Sequence, residues 1–221
     1  MHTVYADGTA RPLYRGWLHG AAALVSVPSA IYSWESIEPA ARPTVVAVCW
    51  TLSSSAALHL HRYRSKSMEQ LVNKLDRTGI VAICLASFTS PQLASAARCR
   101  PPLAYTLATV VAPNTLGVLA ILGGSRSPRV FGGCVVAAMA TGAFWSTVDA
   151  LLVLYTAASG LCYGLGMYLY VRKPCSASMR WGYHEWMHVL VTVGFGVNVS
   201  GVSYMAVLCE SEDTETVYGT D

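Results

Sequence analysis

Charge is scarce in this sequence. Asp, Glu, Lys and Arg make up 12% of 221 residues, against about 25% in an ordinary soluble domain. The shortage excludes a chain whose surface is mostly solvated, and a mean hydropathy of +0.42 agrees. The net charge of +3 is too small to suggest a nucleic-acid partner. No Cys-x-x-Cys pair occurs among the seven cysteines, so they read first as small apolar packing residues. No internal repeat stands out. A cleavable signal peptide is not expected either, because the first apolar run follows Arg11 and Arg15 and has no convincing small-residue cleavage site. That run reads as a signal anchor that stays.

What is there is a succession of apolar runs, each near the roughly 20 residues that a membrane helix needs. They fall at about 16–36, 43–62, 77–97, 102–122, 130–148, 150–171 and 184–208. The breaks have local causes: Glu35 to Pro43, a polar loop from Arg62 to Lys74, Arg98-Cys99-Arg100-Pro101-Pro102, the Gly123–Arg129 turn, Asp149, and Arg172-Lys173-Pro174. Asp149, after Ser146 and Thr147, reads as a helix cap. Trp50, Trp145, Trp181 and Tyr183, at the run ends, read as interfacial belt residues. The expected fold is therefore an all-α seven-transmembrane bundle. Its parts are a short N-terminal segment (1–15), the bundle (16–208) and an acidic C-terminal tail (209–221), irregular at least in part.

Orientation follows from the basic residues. With the N-terminus in the cytoplasm, Arg11, Arg15, Arg62, Arg64, Lys66, Lys74, Arg77, Arg126, Arg129, Arg172, Lys173 and Arg180 share the cytoplasmic side. Only Arg42, Arg98 and Arg100 face outward. The positive-inside rule favours this arrangement and puts the C-terminus outside. Cys99 and Cys209 then lie near the same outer face, where a disulfide is an alternative to plain packing.

The same topology sorts the six histidines. His59 ends the second helix at the cytoplasmic side. His184 and His188, four apart and so on one helical face, start the seventh there. Asp76 starts the third there. Three imidazoles suit zinc, which in catalytic sites keeps three protein ligands and an open position. Ser55 is one turn before His59 on the same face. Asp76 is placed to hold a water on the metal and take its proton, since zinc lowers the pKa of such a water to about 7. His61 and His2 read more simply as solvated at the headgroups. His19 is either an inter-helix hydrogen bond or a group behind the ligands.

His184-Glu185-x-x-His188 also matches the zinc-protease pattern, with Glu185 as general base. The acids after His188 lie at the far side of the membrane, so the third ligand would again be His59. Glu185 is roughly 100° around the helix from His184 and need not face the ion. A membrane HExxH metalloprotease is therefore an alternative rather than the leading reading.

Taken in order, Ser55-Ala-Ala-Leu-His59, Leu75-Asp76-Arg-Thr-Gly79-Ile80, Ser87-Phe88 before Pro91, and His184-x-x-x-His188 ahead of Gly201-Val202-Ser203 resemble the progestin and adipoQ receptor / hemolysin III family over about residues 15–205. Asn198 stands where many members have histidine. The resemblance implies seven helices with zinc held by His59, His184 and His188, and Asp76 and Ser55 as polar partners of the metal-bound water. It also implies a multi-pass location in the plasma membrane or an endomembrane such as Golgi or ER. The wider superfamily includes alkaline ceramidases, so the implied activity is zinc-dependent hydrolysis of a lipid amide, with a sphingolipid or fatty-acid ligand among membrane lipids. The alternative is a receptor with structural zinc and no turnover. A protein ligand or a homo-oligomer is compatible with either.

Overall fold

The computed structural model describes residues 14, 16–61, 63–93, 99–125, 127–145, 147–172 and 182–218. Among them every regular element is helical. The main helices are α1 (Trp17–Tyr32), α2 (Arg42–Leu60), α3 (Lys66–Gln92), α4 (Leu103–Leu122), α5 (Pro128–Trp145), α6 (Ala150–Arg172) and α7 (Tyr183–Tyr218). Four of them, α2, α4, α6 and α7 as far as Cys209, are long and apolar enough to cross a membrane. Leu24, Ile31, Leu116, Leu154, Leu161 and Val207 point outward and exposed, as expected where hydrocarbon rather than water is the solvent.

Contacts at two ends sort the helices. At one end the Lys74 ammonium donates to the Leu122 carbonyl at 2.8 Å, and Arg77 to Ser125 O at 3.2 Å. These cations satisfy carbonyls at and just past the C-terminus of α4, which the helix itself leaves unpaired. At the other end Gln92 donates to Pro101 O and Thr106 Oγ1 at 2.8 and 2.7 Å. There a disulfide joins Cys99 to Cys209 across 110 residues, so pairing, not packing alone, is the outcome for these two. It sits in a cluster with Ala40, Ala41, Trp145, Leu152, Val202 and Met205.

Several boundaries differ from the sequence reading. Helix α3 begins at Lys66, so most of the expected polar loop is helix. Met68, Glu69, Gln70, Leu71 and Lys74 are good helix formers, and Lys74 and Arg77 tie this end to α4. Polarity marked the membrane edge and not the helix start. The backbone of α7 stays helical to Tyr218, because an established helix extends at little cost; at 36 residues it is about 54 Å long. Trp145 is buried in the cluster around the disulfide and is not a belt residue. Asp149 does cap a helix: its Oδ1 accepts the Leu151 N–H at 2.7 Å at the start of α6.

Inside α4 one turn, Leu107–Val111, is π-helical. Pro113 follows and has no N–H to give to the preceding turn. The Asn114 amide donates to Val110 O at 2.9 Å. A wide turn and a side-chain donor together carry the proline within an apolar helix.

Helices α2, α3 and α7 meet through Ala47, Val48, Leu52, Ile83, Ala86 and Phe195. Gly79 permits a close α2–α3 approach, since a Cβ there would stand 2.7 Å from Thr51 Oγ1 and 3.0 Å from its Cα. On α7, Gly194 lies under the Tyr163 ring of α6. Helices α2, α3, α6 and α7, with His19 of α1, form the walls of the site. Residues 1–13, Arg15, Arg62, 94–98, Arg126, Ser146, 173–181 and 219–221 lie outside the described residues, so readings on His2, Arg11, Arg98, Lys173, Arg180 and Trp181 have no structural counterpart. The side chains of Ser87, Phe88 and Pro91 and of the acidic residues after Cys209 are likewise outside the description.

Candidate metal centre

His59 comes from the last turn of α2, and His184 and His188 from the first two turns of α7. One ring nitrogen from each meets the others within 4.8 Å. His184 and His188 have facing Nε2 atoms 2.8 Å apart. Their spacing of four puts both rings on one face, with centroids 4.5 Å apart. The His59 ring stands 5.2 Å from that of His184 and 5.4 Å from that of His188. His59 and His188 are buried and His184 is half-buried, so the trio opens to one side.

That side is a cavity of about 180 Å³. Its polar lining includes His19, Ser55, Asn73, Asp76 and Arg77, and its apolar lining Ile80, Ile83, Met167, Val191 and Phe195. Asp76 is about three turns into α3 from Lys66. Its carboxyl lies beside the Ser55 hydroxyl, although Ser55 Oγ, fully buried, completes no hydrogen bond of good geometry. Ser55 and Asp76 thus present oxygen atoms to the same space as the imidazoles, with room between them for another polar group.

Glu185 behaves differently from the protease pattern. Its Oε2 accepts the Gly182 N–H at 2.8 Å. This is the backward-reaching half of a capping box, with Gly182 at the N-cap and Glu185 at N3. The residue is buried and does not line the cavity.

The structure therefore gathers all five residues singled out from the sequence: His59, His184, His188, Asp76 and Ser55. His61 stays out, exposed and stacked at 4.8 Å on Tyr63. Asn198 lies further along α7 and does not line the cavity. Three lining residues, Asn73, Arg77 and Tyr163, had no signal in the sequence: Arg77 looked like one more cytoplasmic cation, Tyr163 like one more aromatic in an apolar run. His19 was visible only as one of two alternatives, and it proves to touch His188 directly, with Nε2 at 3.1 Å from His188 Nδ1.

A helical bundle whose outer surface is apolar and whose interior holds three converging imidazoles at one end defines a class of membrane protein with a histidine centre. The sequence matches the haemolysin-III related family over residues 8–199, and the chain belongs to that family. Among proteins of curated function none matches it.

Proposed function

We propose that this protein is a zinc-dependent membrane hydrolase of a lipid amide, ceramide-like in substrate class. The observation that carries the reading is the convergence of three imidazoles on the wall of an apolar cavity that also presents a carboxylate and a buried hydroxyl. Three neutral nitrogen donors are a good zinc set. Zinc–nitrogen bonds of about 2.0–2.1 Å place tetrahedral ligand nitrogens about 3.3 Å apart. The trio spans that separation, from 2.8 Å between His184 and His188 to a limit of 4.8 Å overall.

Bound zinc would supply Lewis acidity toward the amide carbonyl and make water nucleophilic at neutral pH. The chain's own residues do the rest. Asp76 accepts the proton from the attacking water and returns it to the leaving nitrogen. Ser55 hydrogen-bonds Asp76 or the water and keeps the carboxylate turned toward the imidazoles. Ile80, Ile83, Met167 and Phe195 receive the acyl chain and keep bulk water away from the carbonyl.

The seven runs are read as seven spans, with the histidine end in the cytoplasm and the C-terminus outside. Two independent features support this. Among the described residues, Arg64, Lys66, Lys74, Arg77, Arg129 and Arg172 belong to the segments that meet at the histidine end. The disulfide lies at the opposite end, where an oxidising compartment is required. The protease alternative is the weaker reading, because Glu185 reaches back to the Gly182 N–H at the start of α7 and does not line the cavity.

The test is to purify the protein with its His188→Ala and Asp76→Ala variants and measure zinc content and fatty-acid release from ceramide. The hydrolase reading expects His188→Ala to lose zinc and turnover, and Asp76→Ala to keep zinc and lose turnover. Zinc in the wild-type protein with no turnover over a panel of lipid amides would instead favour a receptor with structural zinc.

A further inference from the structure

A fourth histidine stands behind the centre. His19, on the first turn of α1, is 2% exposed. Its ring meets that of His188 edge-on with centroids 4.0 Å apart. The two nitrogens of His188 are thus engaged on opposite sides: Nε2 faces His184 at 2.8 Å and Nδ1 faces His19 Nε2 at 3.1 Å.

We propose that His19 is a positioning residue: it accepts the Nδ1–H of His188, and so fixes the tautomer and ring angle that turn Nε2 toward the metal. The proposal rests on the metal reading above. A neutral imidazole has one N–H and one lone pair. If Nε2 gives its lone pair to a cation, the proton must be on Nδ1, and the structure places the Nε2 of His19 3.1 Å from that atom. Such an outer partner orients a metal-binding histidine and raises its basicity. With Nε2 used as acceptor, the proton of His19 is on its own Nδ1, which has no hydrogen-bond partner among the described residues. His19 is not held there by a polar network of its own; the packing of α1 holds it. Gly16, with φ 86°, lies so close to α2 that a Cβ on it would collide with the Cβ of His59. A Cβ on Gly20 would meet Leu60 at 2.6 Å. One turn of α1 therefore presses on His59 through Gly16 and on His188 through His19, so two ligands that arrive from distant parts of the chain share a single backing.

The experiment uses the full chain in detergent, wild type beside His19→Phe and His19→Gln. Phenylalanine keeps a ring but offers no acceptor; glutamine offers a carbonyl oxygen. Zinc affinity is measured by competition with a chelating dye, and the ligand field by the visible absorption of the cobalt(II)-loaded protein. His19→Phe should bind zinc about 10- to 100-fold more weakly with shifted cobalt bands, and His19→Gln should recover most of both. Wild-type affinity and bands in His19→Phe would overturn the proposal, as would equal losses in the two variants, which would assign His19 to packing alone. A wild-type protein that binds neither metal would bring down the metal reading itself. Should His19→Phe not fold, nitrogen NMR of zinc-loaded wild-type protein labelled in histidine decides: metal on His188 Nε2 with a proton on Nδ1 is expected, and metal on Nδ1 overturns the proposal.

Discussion

The carboxylate of Glu185 takes the backbone N–H of Gly182 at 2.8 Å, so the acid between His184 and His188 serves the helix terminus. Glu185→Gln keeps an acceptor in place. It is expected to retain zinc and any lipid-amide turnover within about twofold. Glu185→Ala should lower stability by about 1 kcal/mol, the usual scale for a lost cap, seen as a lower melting temperature. Loss of turnover with zinc retained in Glu185→Gln would restore a catalytic role for this residue.

Helices α2 and α3 approach closely at Gly79, one helical turn from Asp76 and packed on Thr51, itself one turn from Ser55. Gly79→Ala places a methyl 2.7 Å from Thr51 Oγ1. The expected cost is about 1–3 kcal/mol, typical of overpacking. Adding Thr51→Ala removes the nearest atom and should recover part of it. Additive losses in the double variant, read by thermal melts, would show that the two residues do not press on each other.

The Cys99–Cys209 bond closes a long stretch of chain, with a separation of 110 residues. Replacing both by serine should cost about 2–5 kcal/mol and leave zinc binding intact, because the bond lies at the end away from the histidines. Peptide mapping without reductant should find the two cysteines linked. Free thiols at both positions in protein isolated without reductant would contradict the pairing.

If zinc binds the folded state alone, removing it must destabilise the protein. At free zinc 100-fold above its dissociation constant, the shift is about 2.7 kcal/mol. Chelation should therefore lower the melting temperature, and zinc should restore it. His59→Ala, His184→Ala and His188→Ala should each melt near the chelated wild type and respond little to added zinc.

The orientation has its own check. A tag after Asp221 should be reachable by antibody without permeabilisation in cells, or from the lumen side in sealed vesicles. Labelling that appears only from the cytoplasmic side would reverse the assignment of the two ends.

Much of this architecture is legible in the sequence because lipid imposes a strict length and composition on each helix. The runs around 43–62, 102–122 and 150–171 correspond closely to α2, α4 and α6. The histidine trio was legible through two facts that do not depend on each other, the spacing of His184 and His188 and the sidedness of the basic residues. The start of α3 was not legible, because residues 66–76 are polar and helical at once. Trp145 was misread because a tryptophan at a helix end has the same sequence signature whether it faces headgroups or a buried disulfide.

Composition and residue spacing, then, determined by themselves that this chain is helical and apolar on the outside, and that a few ionisable side chains gather toward one end. These are properties of single helices and of charge counts, and each can be read along one strand of sequence. Which nitrogen of His188 faces which neighbour, that Glu185 serves a backbone amide, and that Gly16 packs on His59 and His19 on His188 were decided only by tertiary structure. Each depends on the rotation of one helix against another, and the packing of small residues such as Gly16, Gly79 and Gly194 sets that rotation.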